Sequence, residues 1–170
     1  NLKKDDVMCK SDDSNGFFHA VLDDVAMPMH GFTFGNLCFR AKALPFGLSI
    51  SPGKFQGLNR VAVTALVKLF ESVYLYLDDR ITHSSYKSGF SEGETTKAAY
   101  MLACLMVAFG GFCSLDKSQW EPSKVMEFLG LLIDSRDLSI SVPEKKYLRC
   151  MQLMQEFYEG RNFDIKLLEK

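Results

Sequence analysis

The sequence lacks the cysteine and histidine patterns that mark a metal-binding or disulfide-stabilised domain. Its five cysteines are an odd set without a Cys-x-x-Cys pair, and its three histidines are scattered. A zinc site and a disulfide framework are therefore disfavoured, and buried thiols in a reducing compartment are favoured. We expect an intracellular location, either cytoplasmic or nuclear.

Long apolar runs and excess positive charge are also missing. No stretch of about 18 uninterrupted apolar residues exists, and the start, NLKKDDVMCK, is neither a signal sequence nor a membrane span. The sequence thus predicts a soluble chain with no membrane partner. The formal net charge of -1 and the pI near 6.3 exclude a general basic field. Any nucleic-acid binding has to be local, or has to rest on segments outside this chain.

The sequence contains enough apolar residues to form one globular core. Of its 170 residues, 47% are hydrophobic and 24% are charged, which is typical of a single folded domain. The first residue is Asn1, and the last stretch, FDIKLLEK, begins a new helical pattern. We therefore expect the chain to be a piece of a longer polypeptide.

Residue alternation predicts several extended regions. VMCKSD at 7–12 reads as a strand, and residues 32–40 read as a hairpin around Gly35-Asn36. Residues 73–78 alternate as a strand that ends at Asp78, and ITHSS at 81–85 returns from it. FLGLLID and LSISV flank a turn at 135–137 and read as a two-stranded antiparallel ribbon.

Three helices follow from a repeat of three to four residues. The first is capped by Ser51 with Pro52 in its first turn, the second starts at a Ser91/Glu94 capping box, and the third follows Pro143. Their predicted apolar faces are Phe55, Leu58, Ala62, Leu66 and Phe70; Ala98, Met101, Leu102, Leu105 and Phe109; and Tyr147, Leu148, Met151, Met154 and Phe157. The order of elements predicts an α+β fold, ferredoxin-like or RRM-like, with helices packed on one face of an antiparallel sheet.

Two adjacent acids end the apolar run YLYLDD, although neighbouring carboxylates repel each other and are costly to desolvate. Asp12 ends one predicted strand and Asp78 another, so the two meet at one sheet edge if the strands are neighbours, with Asp79 at the hairpin tip. Three converging acids favour a divalent cation, magnesium or manganese. Two such ions about 3.5–4 Å apart serve phosphoryl transfer. An ordinary polar turn explains Asp78 and Asp79 by themselves equally well.

Five segments in order resemble the successive palm motifs of reverse transcriptases from retroelements. They are KSDDSNGFFHAVL, ALPFGLSISPGKFQ, YLYLDDRI, GGFCSLDKSQW and EFLGLLID. Phe46 stands where lentiviral enzymes carry Gln, which favours a retrotransposon type. The tail from Ser141 resembles the tyrosine-recombinase (DIRS-like) group of retrotransposons.

The resemblance implies a role for each matching residue. Asp12 and Asp78 are then the metal-binding carboxylates and Asp79 the supporting acid, with Mg²⁺ or Mn²⁺ as the two ions and the backbone carbonyl of Asp13 as a further ligand. Lys117 matches the basic residue that faces the triphosphate or its leaving group. By itself Lys117 reads as a surface lysine.

The remaining matches concern the nucleotide and the primer. Phe17 matches the aromatic steric gate against a 2′-hydroxyl, and an ordinary core Phe is the competing interpretation. Phe46 and Gly47 belong to the loop beneath the template base and the incoming nucleotide, where a residue without Cβ allows close approach. Leu129 and Gly130 match the hairpin that holds the primer terminus, and a plain buried ribbon explains them too.

Two residues depart from the family pattern. Asp13 and Arg80 both stand where an apolar residue is usual, so they either pair with each other or mark a decayed copy of the element.

The basic fingers strands, the rest of the thumb and any RNase H domain are absent from this chain. We expect a palm over 1–142, with partial fingers at 20–43 and a primer-grip-like hairpin at 126–142, and a thumb that begins at 143–170.

The sequence therefore predicts an RNA-directed DNA polymerase core that adds dNTPs to a primer on an RNA or DNA template. We expect it to be fused to RNase H and other element domains, and to be inactive by itself. Two alternatives stay open. One is a catalytically dead palm that acts as a nucleic-acid-binding or scaffold module, and the other is an RNA-directed RNA polymerase, which Phe17 disfavours.

Overall fold

The structure is a computed structural model that describes residues 2–68, 72–84 and 92–160. It confirms the predicted α+β class. The strands are Val7–Asp12 (β1), Gly31–Phe34 (β2), Leu37–Arg40 (β3), Val73–Tyr76 (β4), Asp79–Ser84 (β5), Gln119–Ser123 (β6), Val125–Phe128 (β7), Leu131–Asp134 (β8) and Ser139–Ser141 (β9). The α-helices are Ser51–Val67 (α1), Glu92–Ala108 (α2) and Glu144–Tyr158 (α3), and two short 3₁₀ helices span Gly16–His19 and Met27–His30.

The main sheet is antiparallel, with strand order β4-β5-β1-β6. In its β1–β5 pair, Asp12 lies opposite Asp79 and Ser11 lies opposite Arg80. Because successive side chains point to opposite faces, Asp12 and Asp79 share one face while Ser11 and Arg80 share the other. The second face is the one that the helices cover, since Thr82, two residues after Arg80, contacts α2 through Thr95.

The core between helices and sheet differs in detail from the predicted apolar faces. Leu58 is 57% exposed, and Asn59 is buried in its place. Likewise Met101 and Phe109 of the second predicted face are exposed. The main cluster consists of Ala62, Val63 and Leu66 from α1, Val73 from β4, and Leu102 and Met106 from α2. Each helix is thus rotated by about one position from its predicted face, because it packs against both the sheet and the other helix.

Two predictions about local structure are wrong. Ser51 does not cap α1: it is the first helical residue, and its buried hydroxyl donates to the Pro45 carbonyl over 3.0 Å. Pro52 lies in the first turn as expected. The segment FLGLLID is not one strand, because Leu129 and Gly130 adopt left-handed φ values of 50° and 77° and form a turn between β7 and β8.

The second sheet therefore has three strands, in the order β7-β8-β9. It covers part of the main-sheet face that lies opposite the helices, which we call the open face. There Met126 of β7 contacts Met8 of β1 and Ile81 of β5. The predicted ribbon is its β8–β9 half. Strand β6 had no counterpart in the sequence prediction, since QWEPS contains a proline and no apolar alternation.

Two segments stand away from the core. The β2–β3 hairpin is confirmed and all eight of its residues are exposed. An isolated bridge between Val21 and Ala43 closes the segment that carries it. Helix α3 is confirmed after Pro143, but none of its residues is buried. Lys146 of α3 donates to the Gly130 carbonyl over 3.1 Å.

Several sequence predictions lie outside the described residues. They are the contribution of Phe70 to α1, the end of ITHSS at Ser85, the capping role of Ser91, and the helical pattern from Phe163 onward. Within the part of the chain that the structure describes, no helix has the length and apolarity to cross a membrane.

His83 is buried beside Asp6 on the open face of the main sheet. Its Nδ1 lies 2.9 Å from Asp6 Oδ2, and Tyr74 stacks on its ring with centroids 5.6 Å apart. Neither ring nitrogen makes a hydrogen bond of good geometry among the described residues. Burial lowers the pKa of His83 from its ordinary 6.5, although the charge of Asp6 opposes this. The folded state therefore favours the neutral imidazole.

This burial predicts an acid-sensitive fold. As the pH falls below about 6.5, the unfolded chain binds a proton at His83 more readily than the folded chain, so stability is lost through the lower, folded-state pKa. We expect His83→Phe, which preserves the stacked ring, to reduce the loss of unfolding free energy between about pH 7.5 and pH 5.5. Urea unfolding at both pH values measures this. An equal loss in the variant and the original chain would contradict it.

Candidate active site

The turn between β4 and β5 consists of Leu77 and Asp78. This corrects the predicted arrangement, because β4 ends at Tyr76, Asp78 occupies the hairpin tip, and Asp79 opens β5. Leu77 has a left-handed φ of 55°, which is strained for a residue with a branched side chain. The turn is held from outside the hairpin, since the Asp13 N–H donates to the Asp78 carbonyl over 3.2 Å.

Asp12 and Asp79 face each other across the β1–β5 pair. They are opposite in the register, on the face that the helices do not cover. Burial raises the pKa of Asp79, and the charges of Asp12 and Asp78 raise it further, while Lys10 opposes them. The charges of the other two acids named from the sequence thus act on Asp79 at this end of the β1–β5 pair.

The chemistry of these acids fits a divalent cation. Asp12 Oδ1 is buried and makes no hydrogen bond within the described residues, and carboxylate oxygen is the donor that Mg²⁺ and Mn²⁺ prefer. The acids are not preassembled, since no group of three or more His, Cys, Asp or Glu in ranges 2–68, 72–84 and 92–160 has the arrangement of a metal site. A bound cation would satisfy the Asp12 oxygen that makes no hydrogen bond, and it would offset the charges of Asp12 and Asp78 that act on Asp79.

Lys117 reaches this edge on a loop that is tied to the end of β1. The Ser114 N–H donates to the Asp12 carbonyl over 2.8 Å, and the Asp12 N–H donates to Ser118 Oγ over 3.1 Å. Lys117 Nζ then lies 3.9 Å from Asp12 Oδ1, and its side chain is 70% exposed. The lysine is therefore close to the acids yet free to turn toward a ligand.

Asp13 and Arg80 form a buried ion pair directly behind the acids. Both side chains are fully buried. Arg80 Nη1 donates to Asp13 Oδ2 over 2.9 Å and Nη2 donates to Asp13 Oδ1. Its Nε donates to Ser11 Oγ over 3.2 Å. Of the two interpretations of these unusual residues, pairing is the one that the structure confirms.

The alternation of β5 explains why a charged pair lies in the core. Asp79 points to the open face, so Arg80, the next residue, must point toward the helices. Burial lowers the pKa of Arg80, but hydrogen bonds and charge from Asp13 outweigh this, and the pKa is raised. Removing one partner of such a pair costs about 3–5 kcal/mol of stability, because the other charge stays buried and unpaired.

An aromatic group lies beside the acid turn. Phe17 is half-buried, with its ring centroid 5.1 Å from that of Phe46 and 5.4 Å from that of Phe55. Phe46 is 65% exposed. A Cβ built on Gly16, the residue before Phe17, would lie 3.4 Å from Asp78 Cβ. Phe17 thus packs on Phe46 and Phe55, and the residue before it lies beside Asp78, so both interpretations of Phe17 stay open.

Gly47, Leu129 and Gly130 all have left-handed backbone conformations. Gly47 has a φ of 82°, which a residue with Cβ rarely adopts, and open space surrounds it. Leu129 and Gly130 lie at the tip of the β7–β8 hairpin, in the second sheet. The roles of Gly47 with the nucleotide and of this turn with the primer stay predictions, as does the Asp13 carbonyl as a ligand.

Sequence reasoning missed two residues that position the acids. Asn59 Nδ2 donates to the Leu77 carbonyl over 2.9 Å and to Asp13 Oδ2 over 3.3 Å. Ser118 binds the backbone of Asp12. A signal existed for Asn59, because a polar residue four positions after Phe55 falls on a buried helix face. For Ser118, the only signal in the sequence was its position four residues after Ser114, in the segment that contains Lys117.

Two curated relatives are retroelement polyproteins. The chain is 30% identical to the enzymatic polyprotein of Figwort mosaic virus (strain DxS) over 133 residues, which is 78% of this chain and 19% of that protein. It is 33% identical over 67 residues to the retrovirus-related Pol polyprotein from transposon 412 of Drosophila melanogaster, covering 39% of this chain and 5% of that protein. The chain thus spans a fifth or less of the relatives it matches. They give no support to the finer placement in the tyrosine-recombinase group, which stays a prediction.

Solved structures resemble the chain over almost its whole length. The foamy viral protease–reverse transcriptase bound to an RNA/DNA hybrid matches with a TM-score of 0.68 at 20% identity, covering 96% of this chain and 22% of that one. A form bound to double-stranded DNA matches with a TM-score of 0.69 at 20% identity, covering 99% and 30%. No family model matches the sequence.

The contact between Gly16 and the acid turn yields a packing prediction. A Cβ at Gly16 would lie 2.6 Å from Phe55 Cζ, and Phe55 is buried and cannot yield easily. We expect Gly16→Ala to lower the unfolding free energy by about 1–3 kcal/mol. Gly57→Ala is the matched control, since open space surrounds this exposed helical glycine, and we expect a gain of about 0.5–1 kcal/mol. Thermal or urea unfolding measures both, and equal stability of Gly16→Ala and the original chain would refute the tight packing.

Proposed function

We propose, from the reverse transcriptase-like fold of this chain, that it is the palm of an RNA-directed DNA polymerase. The observation that carries the proposal is the gathering of Asp12, Asp78 and Asp79 at one sheet edge, beside Lys117. In this proposal residues 1–142 are the palm, 20–43 belong to the fingers, 126–142 form the primer grip, and 143–170 begin the thumb.

Each side chain at the edge has a chemical task in this proposal. Asp12 and Asp78 hold the divalent cation, and Asp79 adds negative charge beside them. Lys117, held on the loop tied to β1 and largely exposed, offsets charge on the triphosphate or protonates the leaving group. When bound, Mg²⁺ or Mn²⁺ supplies the positive charge that activates the primer 3′-hydroxyl and stabilises the departing pyrophosphate.

The aromatic group next to the acids supports a deoxynucleotide substrate. Phe17 directly follows Gly16, whose Cβ position would lie 3.4 Å from Asp78 Cβ, and in this proposal the Phe17 ring contacts the sugar of a nucleotide whose phosphates lie at the acids. Phe46, exposed and packed on Phe17, offers a surface for the base. The proposed partners are an RNA or DNA template-primer and dNTPs, and the proposed setting is an intracellular polyprotein that also carries RNase H.

The catalytic assignment predicts the effect of one neutral substitution. Asp78→Asn has almost the same shape but removes one charge from the cation site, so we expect primer extension to fall on the order of a thousandfold or more. The assay uses the full polypeptide that carries this domain, a primed RNA template and dNTPs. Glu121→Gln, an equally neutral substitution at an exposed residue of β6 outside the proposed site, is the control and should extend primers normally.

The same assay separates the alternatives. Extension by Asp78→Asn at the original rate would refute the assignment. No extension by the original enzyme, with the template still bound, would favour a non-catalytic nucleic-acid-binding palm. Equal use of rNTPs and dNTPs would favour an RNA-directed RNA polymerase and would remove the steric role of Phe17.

A further inference from the structure

The buried Asp13–Arg80 pair has no task in the proposed chemistry, yet it is bonded to the turn that carries Asp78. The connection runs through Asn59 of α1. The amide nitrogen Nδ2 of Asn59 donates two hydrogen bonds, one to Asp13 Oδ2 over 3.3 Å and one to the Leu77 carbonyl over 2.9 Å. Asp13 thus fixes the rotamer of the side chain that holds the turn.

Each member of this set is fixed by the one before it. Arg80 presents a planar fork with two parallel bonds to the Asp13 carboxylate, so the carboxylate has one orientation. That orientation places Oδ2 toward Asn59. Because all three side chains are buried, water does not replace these bonds.

The turn itself requires such support. Leu77 has a left-handed φ of 55°, a conformation that surrounding structure has to maintain for a residue with Cβ. Two hydrogen bonds from outside the hairpin meet its carbonyls: Asn59 binds Leu77 O, and the Asp13 N–H binds Asp78 O over 3.2 Å. Asp13 contributes to both, through its side chain and through its backbone.

General stabilisation does not account for the pair, since an apolar pair of similar volume usually serves a core as well or better. A charged network instead specifies one arrangement of the groups it joins. Charge matters as well, because Arg80 offsets Asp13, so the buried pair adds no net charge behind Asp12 and Asp79, whose nearby cations are Lys117 and Lys10.

We infer that Arg80, Asp13 and Asn59 form a positioning relay that holds the Leu77–Asp78 turn in the orientation with which Asp78 binds a divalent cation. This inference rests on the proposed function for the identity of the ligand. None of the three side chains touches substrate or cation in it. They act through Asp78, as outer-shell partners act on metal ligands.

Asn59→Leu tests the relay most cleanly, because it removes both hydrogen bonds and leaves the Asp13–Arg80 pair in place. With Mn²⁺ as the probe, we expect calorimetry to report an affinity about 10- to 100-fold weaker than that of the original chain. Amide hydrogen exchange should be faster at Asp13, whose N–H binds the turn. Leu66→Ala, a cavity on the same helix away from the turn, controls for general destabilisation and should leave the Mn²⁺ affinity within about twofold.

The double variant Asp13→Leu/Arg80→Met extends the test. It should fold, because the core receives apolar side chains of similar length, and it should show the same loss of Mn²⁺ affinity as Asn59→Leu. Unchanged Mn²⁺ affinity together with unchanged exchange at Asp13 in Asn59→Leu would overturn the relay. If the double variant does not fold, the Asn59→Leu result decides alone.

Failure of the proposed function is distinguishable from failure of the relay. Asp78→Asn in the otherwise original chain should abolish Mn²⁺ binding at this edge. If it changes nothing, or if the original chain binds no Mn²⁺, the metal site is refuted. The exchange rate at the Asp13 amide in Asn59→Leu then still decides whether Asn59 holds the turn.

Discussion

The site depends on the buried ion pair between Asp13 and Arg80. It joins the end of β1 to the start of β5, and through Asn59 it joins both to α1. Because a lone charge in this position costs about 3–5 kcal/mol, neither residue is tolerable without the other. The pair therefore explains why two residues that each look out of place occur in one chain. The positions of the acids therefore depend on contacts among β1, β5 and α1, and not on the β4–β5 hairpin alone.

The strand alternation separates two kinds of charge. Arg80 and Asp13 neutralise each other beneath the helices, whereas Asp12 and Asp79 face the open side, with Asp78 on the turn beside them. Lys117 approaches from a loop but remains mostly in solvent. The open side thus keeps an excess of negative charge, which a divalent cation offsets in the proposed function. In that proposal, this division of charge relates the fold to phosphoryl-transfer chemistry.

Local patterns predicted the strands that carry the acids, and their convergence followed from strand pairing. What the patterns could not supply was set by packing. The buried face of α1 includes Asn59, whose place on that face follows from helical spacing, but no periodicity of apolar residues predicts its hydrogen bond to the Leu77 carbonyl. The β7–β8 turn was hidden because Leu129 is apolar while its backbone is left-handed. Strand β6 forms by pairing with β1 in spite of its own polar sequence.

A crystal of the chain soaked in Mn²⁺, with the metal located by its anomalous scattering, tests the proposed cation site directly. We expect a peak bounded by the carboxylates of Asp12 and Asp78, with Arg80 still bound to Asp13 behind them. A peak coordinated by the Asp13 side chain after release from Arg80, or no peak at this edge at saturating Mn²⁺, would contradict it.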